Sequence, residues 1–268
     1  MSAADHLTVP ARNAAFDARS PTFTICTLVT RWAEYIEMTE SFVARGFGPE
    51  VAEYLYLDNS SRNEWDAYAG LAKMLGQARG RYVIYCHQDV RLLSDGAAEL
   101  HARLVELGDL DADWALAGNA GGLPNGELAV RISDPHGENT TLGSLPARAV
   151  SLDENFFVLR RESPIGVSAD IGGFHLYGAD LCMQAQLAGR GAWVVDFHLR
   201  HLSGGRADQR FYDVQERLQE KYAGLFSRRW QIRTTCTTLI FPIRLRDRLR
   251  AWRFMRARRK HATKRFGQ

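Results

Sequence analysis

Between Arg81 and Val90 the chain reads Arg-Tyr-Val-Ile-Tyr-Cys-His-Gln-Asp-Val. Tyr82 to Cys86 is apolar and β-prone, and short enough for a buried strand. It stops abruptly at three polar side chains, His87, Gln88 and Asp89. An apolar run without polar alternation fits a strand covered on both faces, the environment of a parallel sheet flanked by helices. In such open sheets ligands bind beyond the carboxyl ends of the strands. The segment is therefore either a polar loop after a core strand, or a strand that delivers an imidazole and a carboxylate to a ligand. A carboxylate in that place can hold a hard divalent cation, which commonly shares its coordination with phosphate oxygens.

The flanking sequence repeats the strand-then-helix rhythm. Thr22 to Thr30 is β-branched and apolar, and reads as a buried first strand. Ala33 to Arg45 carries Tyr35, Met38, Phe42 and Val43 at helical spacing. Val51 to Leu57 is a second strand that runs into Asp58-Asn59-Ser60-Ser61, and Asn63 to Arg79 a second helix. Gly80 is expected to close that helix with a positive φ, and Asp95 to cap a third helix, Gly96 to Leu107. Trp114 to Ala117 is a further strand. Alternation of this kind predicts an α/β fold with a mostly parallel, doubly wound sheet. Gly118 to Ala149, rich in Gly, Pro, Asn and Asp, is expected to form long binding loops with one hairpin. After it come a strand, Leu152 to Arg160, opened by Asp153 and Glu154; a helix, Gly178 to Ala188; a strand, Trp193 to Phe197; the polar cluster His198 to Gly205; and a helix, Phe211 to Tyr222.

Charge divides the chain. Residues 221–268 hold 15 basic side chains against one acid, Asp247, while the remainder holds 19 basic and 30 acidic, so a net +3 conceals +14 beside −11. The expected organisation is a loose leader over 1–20, a folded domain over 21–222 and a basic extension over 223–268. In the extension Leu245, Leu249, Trp252 and Met255 share one helical face among arginines. That pattern suits a helix lying on an anionic membrane surface, a helix packed on the body or a partner, or a solvated tail. Charge alone would allow nucleic acid, but no recognition fold accompanies it and none is expected as a partner. Cys26, Cys86, Cys182 and Cys236 lie far apart with no C-x-x-C pair, which argues against a zinc cluster or a disulfide framework. No apolar run approaches a membrane span, and residues 1–20 lack a signal-peptide pattern. The expected location is cytoplasmic, peripheral on the inner face of the plasma membrane through the tail.

Four segments in order carry a resemblance: the first strand; LDNSS at 57–61; ARGRYVIYCHQDV at 78–90; and FHLYGADLCMQA at 174–185 followed by Gly189 and His201. Together they resemble a family 2 type glycosyltransferase with the GT-A fold, in a bacterial subgroup with His-Gln-Asp where Asp-x-Asp is usual. The resemblance spans about Thr22 to Gly205. It implies a Rossmann-like sheet flanked by helices, a nucleotide-sugar donor, a glycan or lipid-linked acceptor hydroxyl, a divalent cation (Mn²⁺ or Mg²⁺), an inverting displacement, and a setting in bacterial polysaccharide or glycoconjugate synthesis.

The same resemblance distributes roles. Thr30, Arg31 and Asp58 would hold the nucleotide, although Asp58 also suits an Asx turn with Asn59. Asp89 matches the last acid of the metal motif. His201 would complete the metal shell or touch the diphosphate, with His198 as its competitor. His87 stands where an acid is usual; it is either a cation ligand, better suited to Mn²⁺ than Mg²⁺, or a contact to phosphate or ribose. Ser203-Gly204-Gly205 can bring backbone N–H groups to phosphate. Asp153 and Glu154 would line the donor-sugar pocket. Asp180 is the expected general base, with helix capping as its alternative and Asp170, His175 and Asp153 in reserve; Gly178 stands where the first acid of the usual pair would be. Two other classes compete. A nucleotidyltransferase would need a glycine-rich basic loop after the first strand, and TLVTRWAEY has none. A catalytically degenerate binding protein would account for His87 and Gly178.

Overall fold

A computed structural model of the protein describes residues 21–163, 165–205, 208–223, 230–241 and 253. The expected leader and the amphipathic face of Leu245, Leu249, Trp252 and Met255 lie outside the described residues.

The elements follow in chain order: β1 (Phe23–Val29), α1 (Trp32–Ala44), β2 (Ala52–Asp58), α2 (Ala67–Leu75), β3 (Tyr82–Cys86), β4 (Val90–Leu92), α3 (Ala97–Leu110), β5 (Trp114–Gly118), β6 (Ala120–Gly122), β7 (Leu128–Asp134), β8 (Gly137–Leu142), β9 (Ala147–Arg148), β10 (Ser151–Leu152), β11 (Phe156–Arg160), α4 (Tyr177–Leu187), β12 (Gly191–Val194), β13 (Leu199–His201), α5 (Gln209–Ala223), β14 (Trp230–Arg233) and β15 (Thr238–Phe241). The main sheet has the order β2-β1-β3-β11-β5-β12-β9. β1 pairs parallel with β2 and β3, and β5 with β12, while β11 and β9 run against their neighbours.

Side chains alternate across this sheet with the two-residue period of a strand. Tyr82, Ile84 and Cys86 of β3, with Phe156 and Val158 of β11, pack under α1 and α3. Val83 and Tyr85, with Phe157 and Leu159, pack under α2, α4 and α5. The helices answer with apolar stripes: Met38 and Phe42 from α1 and Leu100 and Leu104 from α3 on one side, Leu71 and Met74 from α2 on the other. Each such side chain, at 0–1% exposure, contributes about 1.5–3 kcal/mol through burial.

Four local expectations are corrected. Gly80 has no positive φ. α2 ends at Leu75, and Gly80 is instead a place of close approach: a Cβ there would lie 2.4 Å from the Thr24 nitrogen. Asp95 does not cap α3; its carboxylate accepts the His198 N–H, while the Gly96 N–H is held by Glu99. Residues 118–149 are not mainly loop. They supply β6, β7, β8 and β9, and β6 and β7 build a second sheet with β10, β13 and β4, β8 pairing with β7. The strand expected over 152–160 is split, because Asp153 accepts both the N–H and the side-chain amide of Asn155 and turns the chain between β10 and β11.

β14 and β15 form an antiparallel hairpin beyond the expected domain edge at residue 222. It packs on the body: Ile232 and Leu239 are fully buried in the core shared with α5, and Ser151 Oγ donates to the Arg233 carbonyl at 2.7 Å.

Candidate functional site

The second sheet assembles the site. β13 lies antiparallel to β4, with His201 opposite Val90. The residue before Val90 is Asp89, at the carboxyl end of β3, so the pairing brings the imidazole of His201 to that strand end. Nε2 of His201 is 3.4 Å from Oδ1 of Asp89. His87 comes from the same strand end, its ring centroid 5.5 Å from that of His201. One ligand atom from each of His87, Asp89 and His201 lies within 4.8 Å of the others. Two imidazoles and a carboxylate, convergent and largely buried, fit a divalent first-row cation, with imidazole favouring Mn²⁺ over Mg²⁺.

The electrostatics agree with that geometry. Burial works to raise the Asp89 carboxyl, but the hydrogen bond and charge of His201 outweigh it and hold Asp89 well below the usual carboxylate range, ionised. Burial works to lower His201, and Asp89 overrides it, raising the imidazole. Burial and then the neighbouring His201 push His87 down to about 4, so its ring is neutral with a lone pair to offer. Nε2 of His87 is 2.9 Å from the Tyr177 hydroxyl.

A cleft of about 240 Å³ runs from this triad to the end of β1, lined by Thr30, Arg31, Asn59, His87, Asp89 and Tyr177 among others. Gln88, between the two motif ends, is the lock: its side-chain oxygen accepts the N–H groups of Thr30 and Arg31, and its amide donates to the Thr30 hydroxyl. Thr30 and Arg31 are thereby fixed beside the triad, with the Arg31 guanidinium exposed and paired to Glu34 at 2.7 Å. Asp58, at the end of β2, is exposed. It accepts the Ser60 N–H at 2.8 Å, an Asx turn, and receives a further bond from Trp32; with Ser60 as the larger cause, its carboxyl is lowered. The buried neighbour Asn59 instead braces the loop, bonding the backbone of Trp65 twice. His198 is turned away from the triad, 3.0 Å from Ser133 Oγ, whereas Ser203 is within 3.2 Å of His201.

Asp180 is neither a free base nor a cap. Its side chain is 0% exposed, and it accepts the N–H and hydroxyl of Ser168 and the hydroxyl of Tyr222. A carboxylate so enclosed ties Ser168 and α5 to α4. Asp170 is ion-paired with Lys221. The start of α4 is capped from elsewhere. Its N-cap Leu176 has a left-handed φ of 63° and no side-chain cap bond, and Glu154 accepts from the N–H groups of Gly178 and Leu176. A Cβ on Gly178 would lie 2.4 Å from the Leu152 carbonyl oxygen, so an acid side chain has no room there. Burial, reinforced by the charge of Asp153, pushes Glu154 up to about 8. Asp153 lies beside the triad through Asn155: the Asn155 carbonyl accepts the His87 N–H at 3.0 Å while its side-chain amide donates to Oδ1 of Asp153, and the Asp153 charge favours protonation of both His87 and His201. Sequence reasoning missed Gln88 and Tyr177 as site residues. Gln88 could have been found, since it lies inside the motif; Tyr177 carried no signal beyond its place next to Gly178.

These features define a GT-A-like α/β protein with a strand-end cleft and a His–Asp–His cluster. The chain belongs to the family of the Fuscovulum blasticum protein called ATP synthase subunits region ORF 6, with which it is 40% identical over 215 residues, 78% of this chain and 84% of that one. No family model matches it. Among solved structures, Staphylococcus aureus TarS 1–349 in complex with UDP superposes with a TM-score of 0.50 at 12% identity over 75% of this chain. The mannosyltransferase PcManGT of Pyrobaculum calidifontis, in complex with GDP-Man and Mn²⁺, matches over 78% of this chain at 12% identity with a TM-score of 0.44. The chain spans 65% and 63% of those two chains. No helix among the described residues is long and apolar enough to cross a membrane.

Proposed function

We propose that the protein is a family 2 type glycosyltransferase that moves a sugar from a nucleotide-sugar to an acceptor hydroxyl with inversion, in bacterial polysaccharide or glycoconjugate synthesis. The observation that carries this reading is the convergence of His87, Asp89 and His201 at the carboxyl end of β3, at one end of a cleft whose other end is Thr30 and Arg31. A strand-end cleft with an anion-facing cation site suits a nucleoside diphosphate. The fold is the one TarS shares, and that protein was solved with UDP.

In this reading Thr30, Arg31 and Asp58 hold the nucleotide, and His87, Asp89 and His201 hold a divalent cation with the diphosphate. The cation, when bound, neutralises charge on the leaving nucleoside diphosphate. Gln88 keeps the nucleotide loop in register with the triad. Asp153 takes the acceptor hydroxyl's proton, replacing Asp180, as that oxygen bonds to the anomeric carbon and the bond from that carbon to the diphosphate oxygen breaks. The acceptor is a glycan or a lipid-linked glycan, and the basic tail draws the enzyme to the anionic inner face of the plasma membrane.

The test is release of nucleoside diphosphate from UDP- and GDP-hexoses with Mn²⁺, in water and with soluble glycosides as acceptors. Turnover of one donor that falls at least a hundredfold in Asp89→Ala supports the reading. No release from any donor contradicts it.

A further inference from the structure

The β14–β15 hairpin comes from the part of the chain that charge and composition assign to a basic extension, yet its tip reaches Asp153, the acid tied to His87 through Asn155. The Thr235 hydroxyl donates to Oδ2 of Asp153 at 2.5 Å. The opposite oxygen, Oδ1, takes the N–H and side-chain amide of Asn155. Both carboxylate oxygens are therefore oriented, one by the turn between β10 and β11 and the other by a residue 82 positions later.

The tip is built to hold that hydroxyl still. Thr234 Oγ1 accepts the N–H groups of Cys236 and Thr237, and the Thr234 N–H donates to the Thr237 carbonyl, which closes a tight turn around Thr235. The turn is anchored on both sides. Arg233 is bonded through its carbonyl to Ser151, two residues before Asp153, and the Thr237 hydroxyl donates to Gln215 of α5. Ile232 and Leu239 are buried in the core below. A segment that served only as a tether for the tail would need no charge-assisted bond to a carboxylate at the site, a bond about twice as strong as a neutral one.

We propose that the β14–β15 hairpin is a working part of the site and that Thr235 is a positioning residue, aiming the Asp153 carboxylate across the His87–Asp89–His201 triad toward the acceptor hydroxyl. This rests on the glycosyltransferase reading. Without the Thr235 bond Oδ2 loses its only orienting partner among the described residues and the carboxylate is held through Oδ1 alone, and a base displaced by a fraction of an ångström loses much of its rate advantage. Donor affinity, set by the nucleotide loop and the triad, does not depend on that bond.

The experiment compares the full-length wild type, Thr235→Val and Thr235→Ser for nucleoside diphosphate release from UDP- and GDP-hexoses with Mn²⁺, in water and with soluble glycosides, together with melting temperatures. The proposal expects Thr235→Val to lower kcat on the order of tenfold, in keeping with the loss of one hydrogen bond to a charged group, with donor KM unchanged. Thr235→Ser, which keeps the hydroxyl, restores most of the rate. A Thr235→Val enzyme with wild-type kcat overturns it, as does a raised donor KM at unchanged kcat, or a Thr235→Ser enzyme as slow as Thr235→Val at equal melting temperature. A wild type that turns over no donor overturns the glycosyltransferase reading itself, and is thereby distinct from a failure of Thr235.

Discussion

Gln88 and Thr30 exchange two hydrogen bonds across neighbouring parallel strands: Oε1 of Gln88 accepts the Thr30 N–H at 2.9 Å, and its amide donates to the Thr30 hydroxyl at 2.8 Å. With the Arg31 N–H at 3.0 Å on the same oxygen, the side chain spans the ends of β1 and β3. It joins the loop offered to the nucleotide to the strand end offered to the cation. Gln88→Ala is expected to leave the core intact and to weaken binding of the cognate nucleoside diphosphate about a hundredfold, in line with about 1 kcal/mol for each of the three hydrogen bonds lost. Isothermal titration of both proteins with UDP and GDP in the presence of Mn²⁺ measures it; equal affinities would remove Gln88 from the site.

Asp180 gives the opposite expectation. Its three hydrogen bonds hold Ser168 and Tyr222 against α4 in a place without solvent. Asp180→Ala leaves those donors unpaired and is expected to destabilise the fold by about 3 kcal/mol or more. Urea unfolding reads the stability, and donor binding below the transition reads the site. A stable Asp180→Ala protein with lost turnover would restore Asp180 as the base.

Glu154 predicts a pH dependence of stability. Burial, then the charge of Asp153, raises its carboxyl in the folded protein to about 8, well above an ordinary glutamate. The folded state therefore holds the proton more tightly than the unfolded chain. The stability this contributes is fully present below the ordinary glutamate range, near 4.3, and is lost as pH rises through about 8. Besides Asp153, the titratable groups facing Glu154 are the phenols of Tyr68, Tyr85 and Tyr177 and the thiols of Cys182 and Cys236, all pushed up and neutral across this range. Between pH 5 and pH 9 the melting temperature of wild type is expected to fall further than that of Glu154→Gln. Parallel curves would mean that Glu154 is ionised in the folded state at neutral pH.

The main sheet was legible because its signals are local. Phe23–Val29 and Tyr82–Cys86 are nearly pure β-formers between polar ends, Tyr54–Leu57 supplies the apolar centre of Ala52–Asp58, and the helices between them repeat apolar residues at helical spacing. The strand-end triad was legible for a related reason: two of its members flank one short motif. What escaped was non-local. The second sheet draws its strands from four separate stretches, including the Gly- and Asn-rich 118–142, where cross-strand pairing outweighs weak propensity. Asp180 read as a base because its place near a helix start is visible in sequence, while its enclosure by Ser168 and Tyr222 comes from residues 12 and 42 positions away. Thr235 was hidden by the basic composition around it, since charge outlines a tail but does not reveal which threonine meets Asp153.

The most direct test of the account is the melting temperature of wild type and Asp89→Ala across UDP- and GDP-sugars, each with and without Mn²⁺. A ligand that binds only the folded state must raise the melting temperature, by an amount set by its concentration relative to its Kd. The account predicts a rise for one donor that requires Mn²⁺ in wild type and disappears in Asp89→Ala. No rise with any donor, or a Mn²⁺-dependent rise that survives undiminished in Asp89→Ala, would contradict a nucleotide-sugar and cation site at the His87–Asp89–His201 cluster.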